Sequence, residues 1–121
     1  MAEHNETGRE GESEAESFLK KKEYNILHRN WHYHHYELDI VAEKDGEIVV
    51  VEVKTRSGDY LLSPEDAIDN RKIRRIVAAA DAYVRLFNID APVRFDVINV
   101  IKKGSGYDMD HIEDAFYAPI N

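Results

Sequence analysis

The chain has no cysteine, which excludes a disulfide framework, a thiol nucleophile and any zinc site built on thiolates. It has only 3 prolines and 6 glycines in 121 residues, and they do not cluster. Nothing therefore marks a linker, and residues 1–121 read as one domain. No apolar run approaches the roughly 18 residues of a membrane-spanning helix. The amino terminus, Met1-Ala2-Glu3-His4-Asn5-Glu6, lacks the basic-then-apolar order of a secretory signal. The expectation is a cytoplasmic protein that works away from membranes. Positive charge is scarce too: 16 Lys and Arg against 24 Asp and Glu leave a net charge of −8. That argues against coating nucleic acid by bulk electrostatics, while leaving room for a local basic groove. What is present is a core: 43% hydrophobic residues separate this chain from disordered sequences of similar charge.

The charge is uneven. Residues 1–23 carry a net −3, residues 54–75 a net +2, and residues 105–121 four acids with no Lys or Arg. Only the middle suits a polyanion. The segment 10–23 reads as an amphipathic helix, with Ala15, Phe18, Leu19 and Lys22 at helical spacing. Glu12 falls on that apolar stripe, an odd place for a carboxylate. A short strand follows over 24–29, then a polar, aromatic-rich link through Trp31, His32, Tyr33, His34 and His35. Ser63-Pro64-Glu65-Asp66 supplies an N-cap, a first-turn proline and first-turn acids. Ile68, Ile73, Ile76, Val77, Ala80, Val84 and Phe87 continue a helical stripe, with a break near Asp69-Asn70. A strand over 93–101, a turn over 102–106 and a last strand or extended tail over 112–116 complete the order α-β-β-β-α-β-β. This predicts a mixed central sheet flanked by helices.

The clearest signal lies between them. Two β-branched runs, Glu37-Leu38-Asp39-Ile40-Val41-Ala42-Glu43 and Ile48-Val49-Val50-Val51-Glu52-Val53-Lys54, flank Asp45-Gly46, the strongest short hairpin signature. With those two as the turn, Lys44 faces Glu47 and Asp39 faces Glu52. Leu38, Ile40 and Ala42 then share an apolar face with Val49, Val51 and Val53. Val41, Ile48 and Val50 take the other face near the turn, with Glu37, Asp39, Glu52 and Lys54 at its open end. Directly opposed carboxylates repel, so they need a proton, a lysine or a cation. Two readings stay open: a salt-bridge ladder, or a site for a hard divalent ion such as Mg²⁺. Arg71, Lys72, Arg74 and Arg75 are either a solvated helix face offsetting Glu65, Asp66 and Asp69, or phosphate contacts. Trp31, Tyr33 and Tyr36 suit a core or base stacking, and Asp96 suits an arginine partner.

Gly11-Glu12, then Glu37-Leu38-Asp39-Ile40-Val41, Val51-Glu52-Val53-Lys54-Thr55-Arg56, Lys72 before Arg74-Arg75, Arg94-Phe95-Asp96-Val97 and a terminal Ala115-Phe116 form an ordered set. This set resembles the YraN-like family of small bacterial proteins, and Asp39 with Glu52-Val53-Lys54 resembles the D…ExK half of the PD-(D/E)xK nuclease motif. The resemblance implies a restriction-endonuclease-like α/β fold related to Holliday-junction resolvases. It implies Asp39 and Glu52 as ligands of Mg²⁺ or Mn²⁺, with the Val53 carbonyl third, Lys54 activating water or stabilising phosphate, and Glu12 completing an acidic catalytic site. Glu37 would support Lys54, and Arg56, Arg71, Lys72, Arg74 and Arg75 would contact DNA, branched or single-stranded. A homodimer is the expected assembly. The implied activity is phosphodiester hydrolysis; the alternative is an inactive nucleic-acid-binding or protein-interaction module on the same fold. Tyr36 stands where the family usually has glycine, which narrows the expected site.

Overall fold

The glutamate-rich opening segment is helical from Ala2 to Lys21 (α1), beginning before the expected 10–23. The computed structural model describes residues 2–56 and 68–117, with side chains from residue 8 onward. α1 ends in a Schellman motif. Tyr24 N–H donates to the Leu19 carbonyl and Glu23 N–H to that of Lys20, both at 3.0 Å, with Glu23 left-handed at φ 68°. Strand β1 (Asn25–Tyr33) outruns the expected 24–29 and takes in Trp31 and Tyr33. A two-residue turn at His34-His35 pairs Tyr33 with Tyr36, so the aromatic segment expected as a link becomes the end of a strand.

Strands β2 (Tyr36–Lys44) and β3 (Glu47–Arg56) form the expected hairpin. Its register runs from Lys44↔Glu47 to Ile40↔Val51, and Asp45 and Gly46 have φ of 51° and 83°, the two positive angles of a type I′ turn. The expected cap Ser63-Pro64-Glu65-Asp66 lies outside the described residues. Helix α2 (Asn70–Leu86) starts at the expected break, where the Asp69 side chain accepts from Lys72 N–H at 2.8 Å. Strand β4 (Val93–Lys103) runs parallel to β3, and β5 (Gly106–Ile112) antiparallel to β4. The last strand therefore precedes the 112–116 stretch expected to hold it. Beyond Ile112 the tail returns to the sheet, where Ala115 N–H donates to the Phe95 carbonyl at 2.7 Å and Asp114 N–H to the Asp96 side chain at 3.0 Å.

The five strands form one mixed sheet in the order β1-β2-β3-β4-β5. With α1 on one face and α2 on the other, this is a restriction-endonuclease-like architecture. Ala15 and Leu19 of α1 pack on Ile40, Ala42, Val49, Val51, Ile98 and Val100. Ile76, Ala79, Ala80 and Tyr83 of α2 pack on Val41, Ile48, Val50 and Phe95. Leu38 corrects the simple alternation, because it joins the α2 core and not the Ile40 face. The β2–β3 ladder ends at Ile40, and Asn30 in neighbouring β1 is left-handed at φ 51°, so the free end of the β1–β2 ribbon rolls toward α2.

α1 reaches the sheet through a glycine. A Cβ added at Gly11 would strike the Thr55 hydroxyl of β3, and that closeness seats the neighbouring Glu12 over the sheet. Gly11→Ala is expected to cost about 1–3 kcal/mol in chemical denaturation despite alanine's better helix propensity. Adding Thr55→Ala should recover most of the loss. Equal losses in the single and double variants would contradict this contact.

Candidate active site

Past Ile40↔Val51 no backbone pair joins β2 to β3; a side chain takes over. Asp39 Oδ2 accepts the Val53 N–H at 2.9 Å, tying the Val53 peptide against the carboxylate. Glu52, on the α2 side of β3, is only 7% exposed. Burial, and then the Glu52 charge, push Asp39 up to about 8, with Glu12 adding to the rise and the Val53 N–H opposing it. Burial and the Glu52 charge therefore favour the protonated form of Asp39. Asp39 and Glu52 line one cavity, though not as the directly opposed ladder pair that the register predicts, because the pairing ends at Ile40↔Val51.

Lys72 answers the remaining charge. Its Nζ lies 2.6 Å from Glu52 Oε2. Desolvation disfavours the ammonium most, but the bond to Glu52 and the charges of Glu52, Asp39 and Asp69 together outweigh it and raise its pKa. The sequence predicts Lys72 as part of a solvated basic face or as a phosphate contact; its partner Glu52 emerges only from the fold, which brings the first turn of α2 over β3. Lys54 makes no hydrogen bond or ion pair among the described residues. Partial burial, then the Lys72 charge, lower its pKa. Contrary to the expectation that Glu37 supports Lys54, no pair joins the two among the described residues; the strands have parted there, and Glu37 lies 3.8 Å from His32 Nε2.

Glu12 is directed at the sheet, as its place on the apolar stripe suggested, but Arg29 holds it at 3.5 Å and also bonds Glu16 at 2.9 Å. The Arg29 Nε is buried without a hydrogen-bond partner. Glu12 thus reaches Asp39 through its charge. A cavity of about 210 Å³ opens over the acids, lined by His35, Tyr36, Glu37, Asp39, Glu52, Lys72, Arg75 and Ile76. Arg75 joins the site directly, while Arg71 and Arg74 are exposed elsewhere on α2 and Arg56 ends β3. Tyr36 forms part of the cavity wall, the position its bulk suggested.

No group of three or more His, Asp or Glu side chains with metal-holding geometry occurs among the described residues. Two carboxylates beside a backbone peptide suit a hard, hydrated ion such as Mg²⁺, which keeps several waters and takes one or two protein carboxylates. They do not suit a closed structural zinc site. The donor set therefore fits the ion that the motif implies.

The profile of the Uncharacterised protein family UPF0102 matches residues 11–100. The chain belongs to that family. A UPF0102 protein of Parabacteroides distasonis is 71% identical over 119 residues, covering 98% of each chain. One from Bacteroides thetaiotaomicron is 55% identical over 120 residues, covering 99% of each. One from Flavobacterium johnsoniae is 45% identical over 121 residues, covering 97% of this chain and 98% of its own. The UPF0102 match begins at Gly11 and ends at Val100, so it holds every candidate site residue named above. Among the described residues no helix is long and apolar enough to cross a membrane.

Proposed function

We propose that this UPF0102 protein is a metal-dependent nuclease-like protein acting on DNA, hydrolysing phosphodiesters at Asp39, Glu52 and Lys54. The observation that carries the reading is the pair of carboxylates, Asp39 and Glu52, that line one cavity, with the buried Glu52 held by the Lys72 ammonium at 2.6 Å. A fold that keeps two acids together at such a cost has a use for a cation there. Asp39 and Glu52 would hold Mg²⁺ or Mn²⁺, with the Val53 carbonyl a third donor. When bound, the ion would polarise a phosphoryl oxygen and lower the pKa of its water. Lys54, half-buried and without an ion pair among the described residues, can hydrogen-bond the attacking water or a phosphate oxygen. Arg75 supplies charge at the mouth, with Arg56, Arg71 and Arg74 as further phosphate contacts. The cavity's volume of about 210 Å³ suits one phosphate group with hydrated ions rather than a whole nucleotide.

Tyr36 favours the second reading, a module that binds nucleic acid or protein without turnover. Its ring stands in the cavity wall where the YraN-like pattern has glycine.

The metal reading is tested at Asp39. Mn²⁺ is expected to bind the wild type with millimolar or tighter affinity and to lose that binding in Asp39→Asn, measured by titration calorimetry. The same variant tests the proton. Asp39 holds a proton in the folded state that the unfolded chain loses above pH 3.8, so native stability falls as pH rises from there to about 8. Asp39→Asn should remove this fall and match or exceed the wild type in metal-free melts at pH 8. Unchanged Mn²⁺ affinity in Asp39→Asn sinks the site.

A further inference from the structure

Glu52 has two lysines within reach of its charge, and only one holds it. Lys54 sits two residues along the same strand without an ion pair among the described residues. Lys72 comes from a different layer of the fold. Its backbone N–H is fixed on the Asp69 cap at 2.8 Å, while its side chain crosses to Glu52 at 2.6 Å. The two partners differ in freedom. Glu52 is held on a central strand with its side chain 8% exposed, whereas the Lys72 side chain is 49% exposed on a flexible four-carbon stem. Lys72 can let go without disturbing the core. Helix α2 would keep its cap, because the bond to Asp69 uses the backbone.

An ammonium and a hard divalent cation seek the same carboxylate oxygen, and their like charges disfavour sharing it. We propose that Lys72 is an exchangeable counter-ion: it holds Glu52 until a divalent cation enters between Asp39 and Glu52, which displaces its ammonium into the cavity mouth to meet a substrate phosphate. This rests on the metal reading of the site. The mouth is built for such a transfer. Arg75, one turn further along α2, lines the same cavity, so the released ammonium and the guanidinium stand three residues apart on one helix face. The exchange gives Lys72 a role distinct from that of Lys54. One is released by the metal, while the other stays beside the acids throughout.

The experiment uses Mn²⁺ alone, titrated calorimetrically at pH 8.0 into the wild type, Lys72→Met, Lys72→Gln and Lys54→Met. Both Lys72 variants are expected to bind Mn²⁺ about tenfold tighter, since no ion pair must first be broken. Lys54→Met, which removes a charge but no ion pair, should gain less. In melts, the Lys72 variants should be less stable than the wild type without metal, and the gap should close at saturating Mn²⁺. Equal or weaker Mn²⁺ binding in both Lys72 variants, or an equal gain in Lys54→Met, overturns the exchange and leaves the metal reading standing. No Mn²⁺ binding by any of the four proteins overturns both.

Discussion

Replacing Asp96 by alanine is expected to destabilise the protein by about 3–5 kcal/mol, the usual cost of leaving a buried charge without its partner. Asp96 is fully buried on β4, and Arg94 clasps it with Nε on Oδ1 and a terminal nitrogen on Oδ2, both at 2.9 Å. His111 Nε2 lies 2.7 Å from Oδ2, and Asp114 N–H donates to Oδ1 at 3.0 Å. Lys22 Nζ lies 3.0 Å from His111 Nδ1. An ammonium can only donate, so Nδ1 accepts and Nε2–H is the group that faces Asp96. Burial alone would raise the Asp96 pKa, but His111, Arg94 and the Asp114 N–H together hold it down at about 2. This knot ties β4, β5 and the end of α1, since Arg94 also donates to Tyr24 at 2.7 Å. Removing the carboxylate leaves a guanidinium whose side chain is 15% exposed with only longer ion pairs, to Glu47 at 3.4 Å and Glu113 at 3.7 Å.

The pH dependence has a definite sign. A depressed carboxylate stabilises the fold above its unfolded pKa, and that contribution is lost as pH falls through its folded value. The wild type should therefore lose stability from pH 3.8 down to about 2. The Asp96→Ala variant should lack this component of acid sensitivity. The double variant Arg94→Met/Asp96→Leu should recover a large part of the loss, because it strands neither partner. Denaturant melts at pH 7, 4 and 2.5 measure all three. A loss below about 1 kcal/mol for Asp96→Ala at pH 7 would show that the knot contributes no more than a surface pair.

Two aspartates on one sheet, Asp96 buried and Asp39 partly so, thus shift in opposite directions, and the sequence showed this only in part. Asp96 lies between Arg94 and Val97 in a strand, so an arginine two residues away on the same face was legible as its partner. His111 was not, because it lies on the strand that was expected further along the chain. Asp39 was legible as the neighbour of an acid because Asp45-Gly46 fixes the hairpin register. The end of the ladder was not legible. Nothing local shows that β2 leaves β3 after Ile40, that the Asp39 carboxylate takes the Val53 N–H, or that Leu38 turns to the α2 core. The turn at His34-His35 has no glycine or asparagine to announce it, so the extent of β1 was missed. Lys72 was legible as a basic residue of α2, but its pairing with Glu52 was not, for a tertiary reason: periodicity within α2 places Lys72 only on its polar side.

Lys54 is where enzyme and binding module part. On the nuclease reading, Lys54→Ala is expected to lose about 10²–10³-fold in cleavage rate, the scale of removing one well-placed electrostatic stabiliser. DNA affinity should change little, because on this reading an ammonium two residues from Glu52 acts where charge develops in the transition state. The lowered pKa of Lys54 suits that role, since it eases proton exchange with an attacking water. The assay is Mg²⁺- and Mn²⁺-dependent cleavage of duplex, single-stranded, flap and four-way-junction DNA, with binding measured separately in Ca²⁺. On the module reading, the wild type cleaves none of these, and Lys54→Ala only weakens binding. Tyr36→Gly separates a closed site from an absent one. The ring lines the cavity beside Asp39 and Glu52, so an inert wild type with an active Tyr36→Gly identifies the tyrosine as the block. Inert wild type and Tyr36→Gly on every substrate, with Mn²⁺ shown to be bound, would end the nuclease reading and leave the cation as a ligand of a non-hydrolytic module.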